Sequence, residues 1–161
     1  MNKQFATSTT LFDTPCGQLL LGAESGRLCF CSWLRESVPT AIENDVDGQL
    51  LKETCRQLQE YFAHERKEFQ LPLSLHGTMF QQIAWRAMLT IPYGQTISYA
   101  EEARRAGRPT ALRAIGNANG RNPLAIIVPC HRVIASNGTI GGYSSGLDRK
   151  RFLMRLEGIV I

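Results

Sequence analysis

Pro129, Cys130, His131, Arg132, Val133 and Ile134 set a cysteine beside a histidine, after an apolar run and before a glycine-rich stretch. That pairing has the chemistry of a nucleophile. A free thiol is mostly protonated at neutral pH, so a working cysteine needs a base or a positive neighbour to raise its thiolate fraction. His131 is the nearest candidate. Side chains of adjacent residues diverge, so a bridging water joins the two more easily than a direct bond. The imidazole needs a third group to orient it, and Glu157 is assigned that role; apart from Asp148 it is the one acidic residue late in the chain. The same dipeptide fits a buried thiol acting as a small hydrophobe, and the surroundings must decide between the two readings.

The nucleophile has to be carried to a surface and held there. Residues 125–128 lack polar alternation and are expected to be buried, delivering Cys130 outward from the core. Pro129 fixes the backbone just before it and removes one amide donor. Beyond it, Asn137 and Gly138 mark a turn, and Gly141, Gly142, Tyr143, Ser144, Ser145 and Gly146 read as a loop closing one wall of a pocket. Residues 147–156 form a basic helix in this reading, ending at Glu157 and Gly158. Upstream, Phe80, Ile83, Ala84, Ala87 and Met88 recur at helical spacing from Thr78, with Trp85 beside them, and Pro92, Tyr93 and Gly94 close the segment. Ser98, Tyr99, Ala100 and Glu101 have the form of a capping box opening a short helix that Gly107 ends. A second helix follows Pro109 and Thr110 to about Asn119, with Gly120 as its stop, and Asn122 and Pro123 then turn the chain. Two short helices joined by residues 107–110 make a helix-turn-helix.

The first half reads as a strand-rich supporting unit. Residues 5–12, 18–23 and 27–33 are strand candidates, separated by turns at 13–17 and 24–26. Asp45 and Asp47 can cap a helix to about Ala63, with Leu51, Cys55, Leu58 and Phe62 facing inward. His64, Glu65 and Arg66 form its polar end, and a connector containing Leu71, Pro72 and Leu73 follows. The expected fold class is α+β, with a strand-rich domain at 1–77 and a helical domain at 78–161.

Five cysteines (Cys16, Cys29, Cys31, Cys55 and Cys130) make an odd set that argues for reduced thiols. Cys29 and Cys31 should share one face of a strand, and with His64 or His76 they invite a zinc reading. Their spacing is not C-x-x-C, and buried thiols explain it, so no metal is expected. Residues 1–6 lack the apolar core of a signal peptide and no run approaches membrane-spanning length, so the expected location is the cytoplasm.

Charge is divided unevenly along the 161 residues. Residues 1–78 hold 7 Lys+Arg against 10 Asp+Glu, and residues 79–161 hold 11 against 4, so the second half is the one suited to a polyanion. Of its basic residues only Lys150 is not arginine, which favours planar contacts to phosphate oxygens. Arg104, Arg105, Arg108, Arg113 and Arg121 surround the helix pair. The second helix carries Ala111, Ala114, Gly116 and Ala118, small residues that let a backbone approach DNA closely, as a minor groove requires. Small residues pack equally well against a neighbouring helix.

The segment 129–134 resembles the active-site motif of the O6-alkylguanine-DNA alkyltransferases, self-inactivating DNA repair proteins. The match continues upstream in Arg113-Ala114-Ile115-Gly116 and Asn122-Pro123, and downstream in Gly141-Gly142-Tyr143-Ser144 and Leu156-Glu157-Gly158. It covers roughly residues 78–158, and Asp13, Thr14, Pro15 and Gly17 are a weaker echo. The resemblance implies a ribonuclease H-like first domain and a stoichiometric transfer of the alkyl group from O6-alkylguanine, or O4-alkylthymine, in double-stranded DNA to Cys130. It implies a monomer that extrudes the damaged base from the minor-groove side, because a base in a duplex is out of reach of a thiol. Arg113 would enter the stack, and Tyr99 would crowd the target phosphate and donate a hydrogen bond to the ring. Asn122 would brace the backbone around Cys130, the Ser144 amide would meet O6, and the carbonyls of Cys130 and Val133 would accept from the guanine amino group. Tyr143 would pack on the base. Met79, Ala84 and Ser145 depart from the family pattern, and Ser145 would narrow the pocket.

No phosphate loop or dinucleotide fingerprint occurs, which suits a reaction with no organic cofactor. Three other readings stay open from the sequence: a non-catalytic damage binder of the same fold, a helix-turn-helix regulator and a cysteine hydrolase. A regulator requires an operator and a dimer, and a hydrolase takes its histidine from elsewhere in the chain.

Overall fold

The computed structural model describes residues 6–161. Residue 5, expected to begin the first strand, and all but Ala6 of the opening segment read for a leader fall in 1–5, outside the described residues. The described chain divides into two compact units: residues up to Leu75 with Pro123–Ala125, and residues His76–Asn122 with Ile126–Ile161.

The first unit is an antiparallel sheet of β1 (Ser8–Thr14), β2 (Gly17–Glu24) and β3 (Arg27–Trp33) in that order, with helix α1 (Val46–Phe62) packed on it. The second hairpin turns through Ser25 and Gly26, both at positive φ (51° and 72°), the geometry whose twist matches the flanking strands. β2 is the central strand, so Leu19, Leu20 and Leu21 are all buried rather than alternating. Asp45 caps α1 by accepting from the amides of Asp47 and Gly48 at 3.1 and 3.0 Å. Asp47 does not share the capping; its carboxylate accepts from the Gly26 amide at 2.6 Å and from the Thr7 hydroxyl. Leu51 and Leu58 face inward as expected, joined by Thr54, Gln57 and Tyr61, while Cys55 and Phe62 are half-buried.

The zinc pairing fails on register. Pairing passes from Gly22 with Phe30 to Ala23 with Leu28, so Cys29 bulges out of the ladder. Cys29 packs with Leu20 and Phe30, its thiol donating to the Gly22 carbonyl at 3.2 Å, whereas Cys31 lies near Cys55. Among the described residues no group of three His, Cys, Asp or Glu could hold a metal ion.

The unit is completed from far along the chain. The amide of Cys31 donates to the Pro123 carbonyl at 2.9 Å, and the Ala125 amide donates to the Cys31 carbonyl at 2.8 Å. Leu124 thus lies parallel to the edge of β3 as an isolated bridge. These three residues pack with the strands, although the sequence placed everything after residue 77 in the second domain.

The second unit begins with α2 (Met79–Met88), whose Thr78 and Gln81 form a reciprocal capping box. It packs on α3 (Tyr99–Arg105) and α4 (Leu112–Gly120) through Ala84, Ala87, Ala103, Ala106, Ile115 and Ala118, so alanine sets the close spacing of these helices. Trp85 is fully buried and its indole donates to the Ala118 carbonyl at 2.9 Å. The box expected at α3 is half formed: Ser98 accepts from the Glu101 amide at 3.1 Å, but the Glu101 carboxylate turns to Arg105 and Arg104. Gly107, at φ 68°, ends α3 with its amide on the Arg104 carbonyl and that of Arg108 on Ala103, the αL stop the sequence predicts. A two-residue parallel pair, β4 (Ile97–Ser98) with β5 (Val133–Ile134), and helix α5 (Leu147–Leu156) complete the unit. No described helix is long and apolar enough to cross a membrane.

Candidate active site

Residues 124–128 are buried throughout, and the turn at Ile126 is held in the left-handed region at φ 72°. Pro129, at φ −84° and ψ 64°, centres an inverse γ-turn in which the Cys130 amide donates to the Val128 carbonyl at 2.9 Å. A short 3-10 turn, Cys130–Arg132, then leads into β5. Proline's fixed φ thus aims the backbone at Cys130.

Asn122 supplies the brace. Its Nδ2 donates to the Val128 carbonyl at 2.8 Å and to Cys130 Sγ at 3.2 Å, so one amide holds both the turn and the thiol. Behind the thiol, fully buried His131 meets Glu157 Oε1 with its Nε2 at 2.7 Å. Arg132 grips the same carboxylate, Nε to Oε2 at 2.8 Å and a second guanidinium nitrogen to Oε1 at 2.9 Å, and the Gly94 amide adds a bond at 3.1 Å. Burial pushes the Glu157 carboxyl up, but the His131 and Arg132 bonds outweigh it and hold it well below the usual carboxylate range. Burial pushes His131 down against the pull of Glu157. An ionised Glu157 beside a neutral imidazole makes Nε2 the hydrogen-bearing atom and leaves Nδ1 a lone pair, and Nδ1 has no partner among the described residues.

The thiol itself is pushed up by burial, with the Asn122 bond and Lys150 pulling the other way. Lys150 is wholly buried on α5; its Nζ donates to the Val133 carbonyl at 2.6 Å and to the Gly142 carbonyl at 2.9 Å, and burial pushes it down to about 8. It ties the glycine loop to β5.

A cavity of about 320 Å³ opens at Cys130, lined by Tyr99, Gly116, Asn119, Gly120, Gly142, Tyr143 and Ser144. Most of the expected pocket residues therefore meet there. Gly141 stands behind Tyr99: it lies at φ 70°, and a Cβ on it would come within 3.2 Å of the tyrosine ring. Ser145 does not line the cavity; its carbonyl accepts from Arg149 on α5 at 3.1 Å, so the expected narrowing is absent.

On α4, Arg113 and Ala114 are exposed, and the Arg113 side chain makes no hydrogen bond or ion pair among the described residues. Gly116 faces open space. Ala111 precedes the helix as its half-buried N-cap, and Ala118 belongs to the core, so Ala118 does not offer the helix face the sequence suggested. Arg132, Lys150, Glu102 and Asn119 were not foreseen. Lys150 carried a signal as the lone lysine in a half otherwise charged by arginine.

A pocketed thiol with a histidine and carboxylate behind it, carried on a helix-turn-helix unit, marks a class of DNA-binding proteins that do covalent chemistry. Comparison with known proteins narrows it. Residues 8–75 match the description "6-O-methylguanine DNA methyltransferase, ribonuclease-like domain", and residues 79–159 match "6-O-methylguanine DNA methyltransferase, DNA binding domain". The chain belongs to the 6-O-methylguanine DNA methyltransferase family. It is 46% identical over 153 residues to the methylated-DNA--protein-cysteine methyltransferase of Methanosarcina acetivorans, covering 92% of this chain and 96% of that one. It is also 46% identical to the constitutive methylated-DNA--protein-cysteine methyltransferase of Bacillus subtilis, with 93% and 94% covered. Among solved structures it resembles Mycobacterium tuberculosis O6-methylguanine methyltransferase (TM-score 0.82, 43% identity, 93% and 92% covered) and M. tuberculosis OGT in complex with DNA (TM-score 0.81, 46% identity, 91% and 90% covered). The ribonuclease-like first unit and the DNA-binding second unit agree with the fold class read from the sequence.

Proposed function

We propose that this protein repairs DNA by direct reversal, taking the alkyl group from O6-alkylguanine onto Cys130 once per molecule. The observation that carries it is the thiol at the cavity, held by Asn122 and backed by a neutral His131 whose free Nδ1 can take a proton. Through a bridging water, Nδ1 receives the Sγ proton while the sulfur attacks the alkyl carbon. The new S–C bond forms as the C–O6 bond breaks, and the electron pair leaves with the purine. Negative charge growing on the purine is met by the Tyr99 hydroxyl and the Ser144 amide, an oxyanion-type stabilisation that lowers the barrier for the leaving group. The carbonyls of Cys130 and Val133 accept from the guanine amino group; Val133 retains a lone pair for this beyond its bond from Lys150.

The reactive carbon reaches Sγ only after the nucleotide leaves the stack. Exposed Arg113 at the start of α4 fills the gap, while Ala114 and open Gly116 let the helix lie close to the minor groove. The thioether product does not exchange with thiols, so each molecule is spent and no cofactor regenerates it.

The test is the intact mass of the protein after incubation with a duplex carrying O6-methylguanine. One added methyl per molecule, mapped to Cys130 and absent from Cys130→Ser and from an undamaged duplex, is the expected result. Binding without a mass change in the unaltered protein would leave a damage binder and end the alkyl-transfer reading.

A further inference from the structure

Arg132 does not line the cavity, yet each of its guanidinium nitrogens is engaged. Nε meets Glu157 Oε2 at 2.8 Å, Nη2 meets Glu157 Oε1 at 2.9 Å and Nη1 donates to the Ile91 carbonyl at 2.7 Å. The guanidinium carbon also lies 5.8 Å from the centroid of the Tyr93 ring.

The corner that follows α2 builds this seat. Besides the Ile91 carbonyl and the Tyr93 ring, the Tyr93 hydroxyl donates to the Leu156 carbonyl at 3.2 Å, one residue before Glu157. The Gly94 amide donates to Glu157 Oε2 at 3.1 Å. Gly94 lies at φ 76°, and a Cβ on it would stand 3.1 Å from the Glu157 carbonyl oxygen, so glycine lets the corner close on the end of α5. One corner thus holds Arg132 and Glu157 together.

Charge gives the arrangement its use. Glu157 Oε1 is shared by Arg132 and His131 Nε2, and either group can neutralise the carboxylate. Arginine keeps its proton at every relevant pH, whereas imidazole gains and loses one near neutrality. With Arg132 in place the carboxylate already has a permanent cation, so a second proton on His131 gains little. Burial comes first in holding His131 down; Arg132 and Lys150 add to it, and Glu157 works the other way. Lys150 is tied to the Val133 and Gly142 carbonyls, while Arg132 sits on the carboxylate itself. Without Arg132, Glu157 draws a proton onto the imidazole instead. That proton sits on Nδ1, the atom that must be empty to accept one from the thiol.

We propose that Arg132 is a positioning residue for alkyl transfer: its fixed charge on Glu157 keeps His131 an unprotonated base, and the corner at Ile91, Tyr93 and Gly94 holds it in place. This rests on the alkyl-transfer reading above.

The experiment follows the imidazole nitrogen NMR signals of His131, one of three histidines, between about pH 5 and 9, a range that brackets the ordinary histidine value of about 6.5. Single-turnover methyl uptake from an O6-methylguanine duplex and urea unfolding are measured alongside. The proteins are the unaltered chain, Arg132→Gln and Arg132→Lys. In the unaltered protein His131 is expected to stay in the neutral Nε2–H form through neutral pH and onto the acid side. Arg132→Gln is expected to raise its midpoint by about one pH unit or more, the scale on which a neighbouring charge acts. The ratio of Gln to unaltered uptake rates should then fall about tenfold from pH 8 to pH 6, as the base is lost to protonation. Arg132→Lys keeps the charge without the fork, so it should leave the His131 midpoint near that of the unaltered protein even if it unfolds at lower urea. Stability gives a third reading. A histidine value raised by folding stabilises below the unfolded value and loses that contribution as pH rises through the folded one, so Arg132→Gln should be least unstable at the acid end. A His131 signal in Arg132→Gln that stays neutral throughout, or an uptake ratio flat with pH, overturns the proposal, since a purely structural arginine predicts both. So does Arg132→Lys titrating with Arg132→Gln, or a Gln variant unfolded across the whole range, because protonated His131 should restore a partner to Glu157 at low pH. Absence of uptake by the unaltered protein is a different failure, that of the alkyl-transfer reading, and the His131 signal is read without it.

Discussion

At the scale of single residues, reactivity depends on how few atoms hold the thiol and its base. Asn122 bonds both Val128 and Cys130 through one nitrogen, so Asn122→Ala frees the turn and removes a side-chain hydrogen bond drawing the thiol down. Two lost bonds of ordinary strength predict a fall in transfer rate of about 10- to 100-fold, read as methyl uptake against time. Glu157→Gln predicts a different signature. It strands the Arg132 guanidinium and should cost about 3–5 kcal/mol of stability, measurable by urea unfolding at pH 7. Because the Glu157 carboxyl is depressed in the folded state, its contribution is present above the unfolded value of about 4.3 and is lost as pH falls through the folded value. The gap between the two proteins should therefore close on acidification below about pH 4, the direction expected of a depressed carboxylate. Cys130, His131 and Glu157 were legible because adjacency and scarcity single them out. Arg132 and Lys150 were not, since a sequence gives charge but not burial, and both read as surface groups until the carboxylate and carbonyls around them are seen.

Among the elements, the helix pair separates reaction from delivery. Arg113 stands outside the cavity, on the first turn of α4. Arg113→Ala is expected to slow repair of a duplex by about 10- to 100-fold, the range of a lost gap-filling contact worth roughly 1–3 kcal/mol. Uptake from a free O6-alkylguanine base should stay unchanged, and equal loss with both substrates would place Arg113 in the chemistry instead. Punctuation made these elements readable: Thr78, Ser98, Gly107, Asp45 and Gly158 all stand at helix ends. What escaped was non-local. The bulge at Cys29 depends on the β2 partner, and β4 and β5 are two residues each, too short to show a period. Alanines on α4 read alike whether they meet DNA or a helix; Ala114 is exposed and Ala118 is core.

Over the whole molecule, charge and chain path carry the argument. The excess of arginine in residues 79–161 predicts that affinity for an undamaged duplex falls steeply with salt. Four phosphate contacts would lower it about 100-fold between roughly 50 and 200 mM, checked by fluorescence anisotropy, and a shallow slope would show that phosphates contribute little. The division of charge was plain in the sequence; the path was not, because nothing in residues 123–125 announces that they belong with strands about ninety positions earlier. That path bears on synthesis. As the chain leaves the ribosome, residues 72–74 pair with β3 at Leu28, but its outer edge around Cys31 waits unpaired until residues 123–125 emerge, and an open strand edge is where nascent chains stick to one another. The first unit to be translated is therefore among the last to be finished, and the segment that closes it is the one that runs on to Cys130.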